Sequence, residues 1–158
     1  MTPRVLVSLR VNATPEHAFD VFAREIGAWW RPNHLFHFTA RGAGILAFEP
    51  GLGGRFTETF ADGEAFEIGR ITAWEPGSRL AFSWRQASFT PDQLTAVEVR
   101  FEPVGAETRV TVEHSGWDTL PQDHVARHTF PDGIFLRRHA EWWQVLLAAW
   151  HRRAGDPR

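Results

Sequence analysis

The sequence predicts an α+β domain: a curved, seven-stranded antiparallel sheet wrapped around a long C-terminal helix, with one helix and a short helical corner between strands 1 and 2. Three observations predict it. Between residues 45 and 114, stretch after stretch alternates apolar and polar side chains, the period of strands that bury one face. The connections between them are short, which joins neighbours antiparallel, because parallel neighbours need long crossovers. Residues 134 to 153 then form a helix-length stretch carrying Trp142, Trp143 and Trp150 among Phe135, Leu136, Leu146 and Leu147. A helix this apolar must be covered, and the apolar face of the sheet is the obvious cover.

The first strand is read from Val5, Val7, Leu9 and Val11 alternating with Arg4, Ser8 and Arg10. Thr14-Pro15-Glu16 supplies an N-cap, a proline at the first helical position and an acidic first turn, and Ala18, Phe19, Phe22 and Ile26 continue at helical spacing. This helix of about three turns ends near Gly27. Trp29-Trp30-Arg31-Pro32 makes a bulky corner that proline stops. Six further strands are expected over Ile45–Glu49, Arg55–Phe60, Ala65–Trp74, Leu80–Trp84, Leu94–Glu102 and Thr108–His114. Turn residues separate them at Pro50-Gly51-Leu52-Gly53-Gly54, Asp62-Gly63, Glu75-Pro76-Gly77-Ser78 and Val104-Gly105. Residues 116 to 132 read as a polar loop, and the final helix begins near Asp132.

Alternation assigns faces. Leu80, Phe82 and Trp84, then Val97, Val99 and Phe101, then Val110, Val112 and His114 form one inner surface, while Ser83, Arg85, Glu98, Arg100, Arg109, Thr111 and Glu113 face outward. The helix offers a stripe of Phe135, Trp142, Leu146 and Ala149, widened by Trp143, Leu147 and Trp150. A strongly curved sheet around such a helix leaves space that side chains do not fill.

At 158 residues the chain is read as one domain, 1–158. Eight tryptophans and thirteen phenylalanines against no tyrosine concentrate its aromatic content in the least polar types, which fill cores or line apolar pockets. A net charge of -2 provides no field for nucleic acid. The absence of cysteine removes disulfides and thiolate chemistry. No window approaches the roughly 20 apolar residues of a membrane span, and the N-terminus lacks a signal-peptide core. A cytoplasmic location is the resulting expectation.

Glu25-Ile26-Gly27-Ala28-Trp29-Trp30 followed by Pro32 and His34, Phe48-Glu49-Pro50, Gly53-Gly54-Arg55-Phe56, Asp62-Gly63, Gly69-Arg70-Ile71, Trp74-Glu75-Pro76, Arg79-Leu80 with Phe82 and Trp84, Thr108 with Val110-Thr111-Val112, and His114 with Gly116-Trp117 occur in this order. In that order they resemble the START-like helix-grip superfamily, also called SRPBCC or birch-pollen-allergen-like, and its AHSA-type branch. That branch is named after the activator of the heat-shock protein 90 ATPase. The resemblance implies a chamber between sheet and final helix. Relatives often carry Gly-Trp in that helix, whereas here Trp142 precedes Trp143; an inward Trp142 would shrink the chamber.

Few groups carry chemistry. His34 with His37, and His124 with His128, have ligand-like spacing but no motif around them, so no metal or other cofactor is expected. His114 falls on the inner face, where a histidine satisfied by a nearby backbone carbonyl is the plain reading. Glu58 shares a face with Phe56 and Phe60 unless a bulge reverses it. Glu58 and His114 together could serve as an acid-base pair, as in the polyketide cyclases or aromatases of the superfamily. No nucleophile elbow occurs, and the glycines at 51–54 lie between strands, without a following helix to receive phosphate.

The leading expectation is a non-enzymatic domain binding a small hydrophobic or aromatic molecule, with Trp30, Phe56, Glu58, Phe82, Trp84, Phe101, Val112, His114 and Trp142 around it. The alternatives are a cyclase-, aromatase- or hydrolase-like enzyme using the same cavity, and a protein-interaction module with Trp29 and Trp117 in an exposed patch. A homodimer or a chaperone contact completes the partners considered.

Overall fold

The computed structural model describes residues 4–29, 44–85 and 93–116, and residues 140, 141, 143, 144, 147–152 and 154 of the C-terminal helix. Strand β1 spans Arg4–Val11. Thr14 caps the following helix, α1 (Pro15–Arg24), its hydroxyl accepting the His17 N–H at 3.1 Å with Pro15 in the first turn. The helix stops at Glu25, two residues earlier than Gly27, and Ile26–Trp29 forms a separate short helix, α2. Trp29 turns inward there and donates its indole N–H to the Val21 carbonyl at 2.9 Å.

The remaining strands are β2 (Ile45–Phe48), β3 (Arg55–Thr59), β4 (Ala65–Glu75), β5 (Arg79–Trp84), β6 (Thr95–Val104) and β7 (Glu107–Ser115). They make one seven-stranded antiparallel sheet in the order β1-β7-β6-β5-β4-β3-β2. From β2 to β7 it is a meander, and β1 closes on β7 with Val5 opposite His114 and Val11 opposite Thr108. The sheet curls because β4 is bulged twice. Ile68 is the extra residue against β3, and Thr72 the extra residue against β5, and each bulge bends its strand. Glycine is required at the first: a Cβ on Gly69 would lie 1.7 Å from the Ser83 carbonyl oxygen. Beside it the Arg70 N–H is taken by the Ser83 hydroxyl at 2.9 Å.

The concave face follows the alternation. Leu80, Phe82, Trp84, Val97, Val99, Phe101, Val110, Val112 and His114 are each at most 3% exposed. The convex face carries a chain of ion pairs across four strands, Glu75–Arg79–Glu98–Arg100–Glu113. Of the C-terminal helix, Trp143, Leu147, Trp150 and Ala154 enter the core. Their spacing, i, i+4, i+7 and i+11, is one helical stripe. Trp143, Leu147 and Trp150 are the residues expected to widen the helix stripe, and Ala154 joins them. Ala149 is half-buried, and Phe135, Trp142 and Leu146 lie outside the residues whose side chains are described.

Candidate functional site

The concavity is lined by aromatic groups that the strands deliver in clusters. At the end nearest α1, Phe19 packs edge-on to Trp74 with centroids 5.1 Å apart, and also meets Phe101 at 5.4 Å. Phe22 bridges Trp29 and Trp150. Trp150 is fastened by its indole N–H to the Ala18 carbonyl at 3.3 Å. A second cluster joins three strands: Phe48 stacks on Phe56 at 4.3 Å, and both meet Phe82. The third contains Trp84, His114 and Trp143.

The third cluster also holds a polar chain whose direction is fixed by donor chemistry. The Trp143 indole can only donate, and its N–H points to His114 Nδ1 at 3.3 Å. Thr95 gives its hydroxyl proton to the Trp84 carbonyl at 2.9 Å. His114 Nε2, 2.9 Å from the same hydroxyl oxygen, must therefore be the donor. The imidazole is thus neutral, protonated on Nε2, with each ring nitrogen committed to a neighbour in the core. Its partner is a threonine hydroxyl rather than the backbone carbonyl expected, and the carbonyl of Trp84 stands one link further on. This arrangement positions groups; it leaves no lone pair of His114 aimed at a substrate proton.

Glu58 is 4% exposed, so the inward assignment holds. The bulge opposite β3 falls on β4, and the alternation of β3 is undisturbed. Its Oε2 accepts the Gly44 N–H at 2.9 Å. Glu58 on β3 and His114 on β7 are four strands apart in the sheet order, about 19 Å along the sheet at roughly 4.8 Å per strand. Each is held by its own partners, and neither hydrogen bond joins them.

Phe56, Glu58, Phe82, Trp84, Phe101, Val112 and His114 therefore share the concave face. Trp30 and Trp142 lie outside the described residues, as do Trp117 and the histidines at 34, 37, 124 and 128. Among the described residues no group of three or more histidines and carboxylates is placed to hold a metal ion. Trp29 is 1% exposed, which removes it from the surface patch considered for a protein partner. Two residues of the third cluster, Thr95 and Trp143, lie outside the nine expected around a ligand. Thr95 precedes Val97, Val99 and Phe101 at period two, so alternation already placed it inward. Trp143 was already on the expected helix face with Leu147 and Trp150, and its contact with His114 comes from the fold.

The model of the family described as "Activator of Hsp90 ATPase homolog 1-like protein" matches residues 12–154. No curated protein matches the chain. Among solved structures, the anthrahydroquino-gamma-pyrone synthase Txn09, complexed with SUM, is 31% identical with a TM-score of 0.55, covering 95% of this chain and 96% of that one. An HSP90 activator from Plasmodium falciparum is 18% identical with a TM-score of 0.63, covering 98% of each chain. The Aha1 dimer from Colwellia psychrerythraea is 16% identical with a TM-score of 0.62, again covering 98% of each. The last two show likeness of fold alone.

Proposed function

The chain belongs to the family of activator of Hsp90 ATPase homolog 1-like proteins, and from that premise we propose that it binds a small hydrophobic or aromatic molecule between the concave sheet and the C-terminal helix. The observation that carries this reading is Glu58. A carboxylate kept 4% exposed on the same face as Phe56, beside the Phe48–Phe56–Phe82 cluster, is the kind of polar group that orients a ligand among apolar walls. Burial of ligand surface against Phe48, Phe56 and Phe82 supplies affinity at about 25 cal/mol per Å², and Glu58 orients a ligand hydroxyl. A hydroxylated anthraquinone is the first probe to try, titrated against tryptophan fluorescence, since Trp84 and Trp143 border the same interior. Saturable quenching is expected, weakened about tenfold by Glu58→Gln, the scale of one hydrogen bond to a charged group. Absence of binding by this probe and by acyl compounds in native mass spectrometry would remove the reading.

The 31% identity to a synthase favours a second reading, an enzyme of the cyclase type. Glu58 is then the proton-transfer group, because both nitrogens of His114 are engaged. Turnover of a polyketide-like substrate that Glu58→Gln abolishes, while binding persists, separates enzyme from binder. Contact with a chaperone, and the dimer seen in the Colwellia protein, have support only from those relatives.

A further inference from the structure

On the outer flank of the C-terminal helix lies a groove of about 480 Å³ that the interior site does not use. One wall is β1, an edge strand of the sheet. Four consecutive residues of that strand, 7 to 10, line the groove. Successive side chains of a strand point to opposite faces, so a groove touching all four runs along the strand's edge and meets its backbone. The other wall is one stripe of the helix, from Gln144 through Leu147 and Ala148 to Arg152. The walls match in length, about 10 Å of strand at roughly 3.3 Å per residue and about 12 Å of helix at roughly 1.5 Å.

Charge is divided along that length. Trp143 meets His114, whose strand partner is Val5, while Trp150 meets Ala18, in the first turn of the helix that follows β1. The helix thus runs beside β1 in the same direction. Over the buried Val7 and Leu147, the apolar surface that the groove presents is the half-buried Leu9 and the exposed Ala148. Arg10, His151 and Arg152 collect at its far end, and all three are exposed. None of the described lining residues is acidic. Glu107 reaches Arg10 only at 3.9 Å. Helix C-termini carry about half a negative charge. Two guanidinium groups outweigh that half charge and Glu107 together, so the end remains net positive.

We infer that this groove is a second ligand site, for a small amphipathic carboxylate: an acyl or arylalkyl acid whose tail lies on Leu9 and Ala148 and whose carboxylate meets Arg10 and Arg152. The volume suits a small ligand, and the carboxylate answers a guanidinium pair better than any neutral group does. The site is independent of the interior one. Decanoate, below its micellar concentration, is the probe, followed by amide chemical shifts of the full chain. Perturbations are expected at residues 7–10 and 144–152. Decanol should bind at least about tenfold more weakly. The double variant Arg10→Glu with Arg152→Glu should lose about tenfold or more, while Arg152→Lys should retain most of the affinity. Ala148→Trp, at an exposed position, should fill the groove and abolish binding. Equal affinity in the charge-reversed and groove-filled variants, perturbations confined to Phe56 and Phe82, or no binding at all overturns the inference.

Discussion

At the residue scale the decisive group is His114, because the chain Trp143 to His114 to Thr95 to Trp84 has one proton arrangement that satisfies every link. Nitrogen spectra should accordingly show His114 as the Nε2–H tautomer. Thr95→Val keeps the shape but strips both Trp84 and His114 of their hydroxyl partner in a site where each is buried. The expected loss is about 1–3 kcal/mol, seen as a lower urea midpoint at unchanged slope; Thr95→Ser should recover most of it. A threonine whose replacement by valine is neutral would show the relay to be incidental. At the surface, Glu49 offers a contrast. The side-chain hydrogen bond from Arg55, and then that residue's backbone N–H, hold its carboxyl at about 2, below the ordinary 4.5. A lowered pKa means the interaction favours the fold above pH 4.5 and is lost as pH falls through about 2. Proton-detected titration of Glu49 should give that midpoint, and Arg55→Gln should return it toward the ordinary range.

At the element scale, the strands and their inward residues were readable because period two leaves no ambiguity once one face is apolar; the inward positions follow the alternation through β5 and β7 and, in β6, from Thr95 to Phe101. The apolar helix face was readable, with Trp143, Leu147 and Trp150 on it, but Trp142 and Trp143 are chemically identical, and hydrophobicity alone cannot rank them. Ala154, small and near the end, extends the stripe that Trp143, Leu147 and Trp150 bury. The bulges of β4 were illegible for a different reason: Ile68 and Thr72 are ordinary strand residues, and only pairing with two neighbours reveals that each is extra. Gly69 was noticed as part of a family pattern, not as a steric requirement. Its role is testable. Gly69→Ala sets a methyl group against the Ser83 backbone, and neither strand can yield without unpairing, so a loss of about 2 kcal/mol or more is expected. Chemical denaturation measures it, and wild-type stability in the variant would mean that the bulge relaxes freely. Leu147→Ala, in the wholly buried stripe of the helix, should cost about 2–5 kcal/mol by the same measurement.

At the scale of the whole molecule, two networks of different physical kind cover the two faces of one sheet. The convex chain of ion pairs joins side chains that are 23% to 53% exposed. Water screens such pairs, and each contributes about 0–1 kcal/mol. The concave side is a single connected cluster that reaches from α1 through β2 to β7 and into the C-terminal helix. Cohesion therefore comes from burial, and burial is indifferent to simple electrolyte at moderate concentration. Raising sodium chloride from about 0.1 to 1 M shortens the screening length from about 10 to 3 Å. It should move the unfolding free energy by no more than about 1 kcal/mol. The same connectivity dictates cooperativity. Trp29, Trp84, Trp143 and Trp150 sit at separate places in that cluster, each at most 1% exposed, so their emission reports the core from α2 to the final helix, while far-ultraviolet dichroism reports the backbone. Coincident urea transitions from the two signals are the outcome expected of one core. An earlier change in emission would instead mean that the helix leaves the sheet before the sheet unfolds, and the proposed ligand site between them would then be lost before the sheet is.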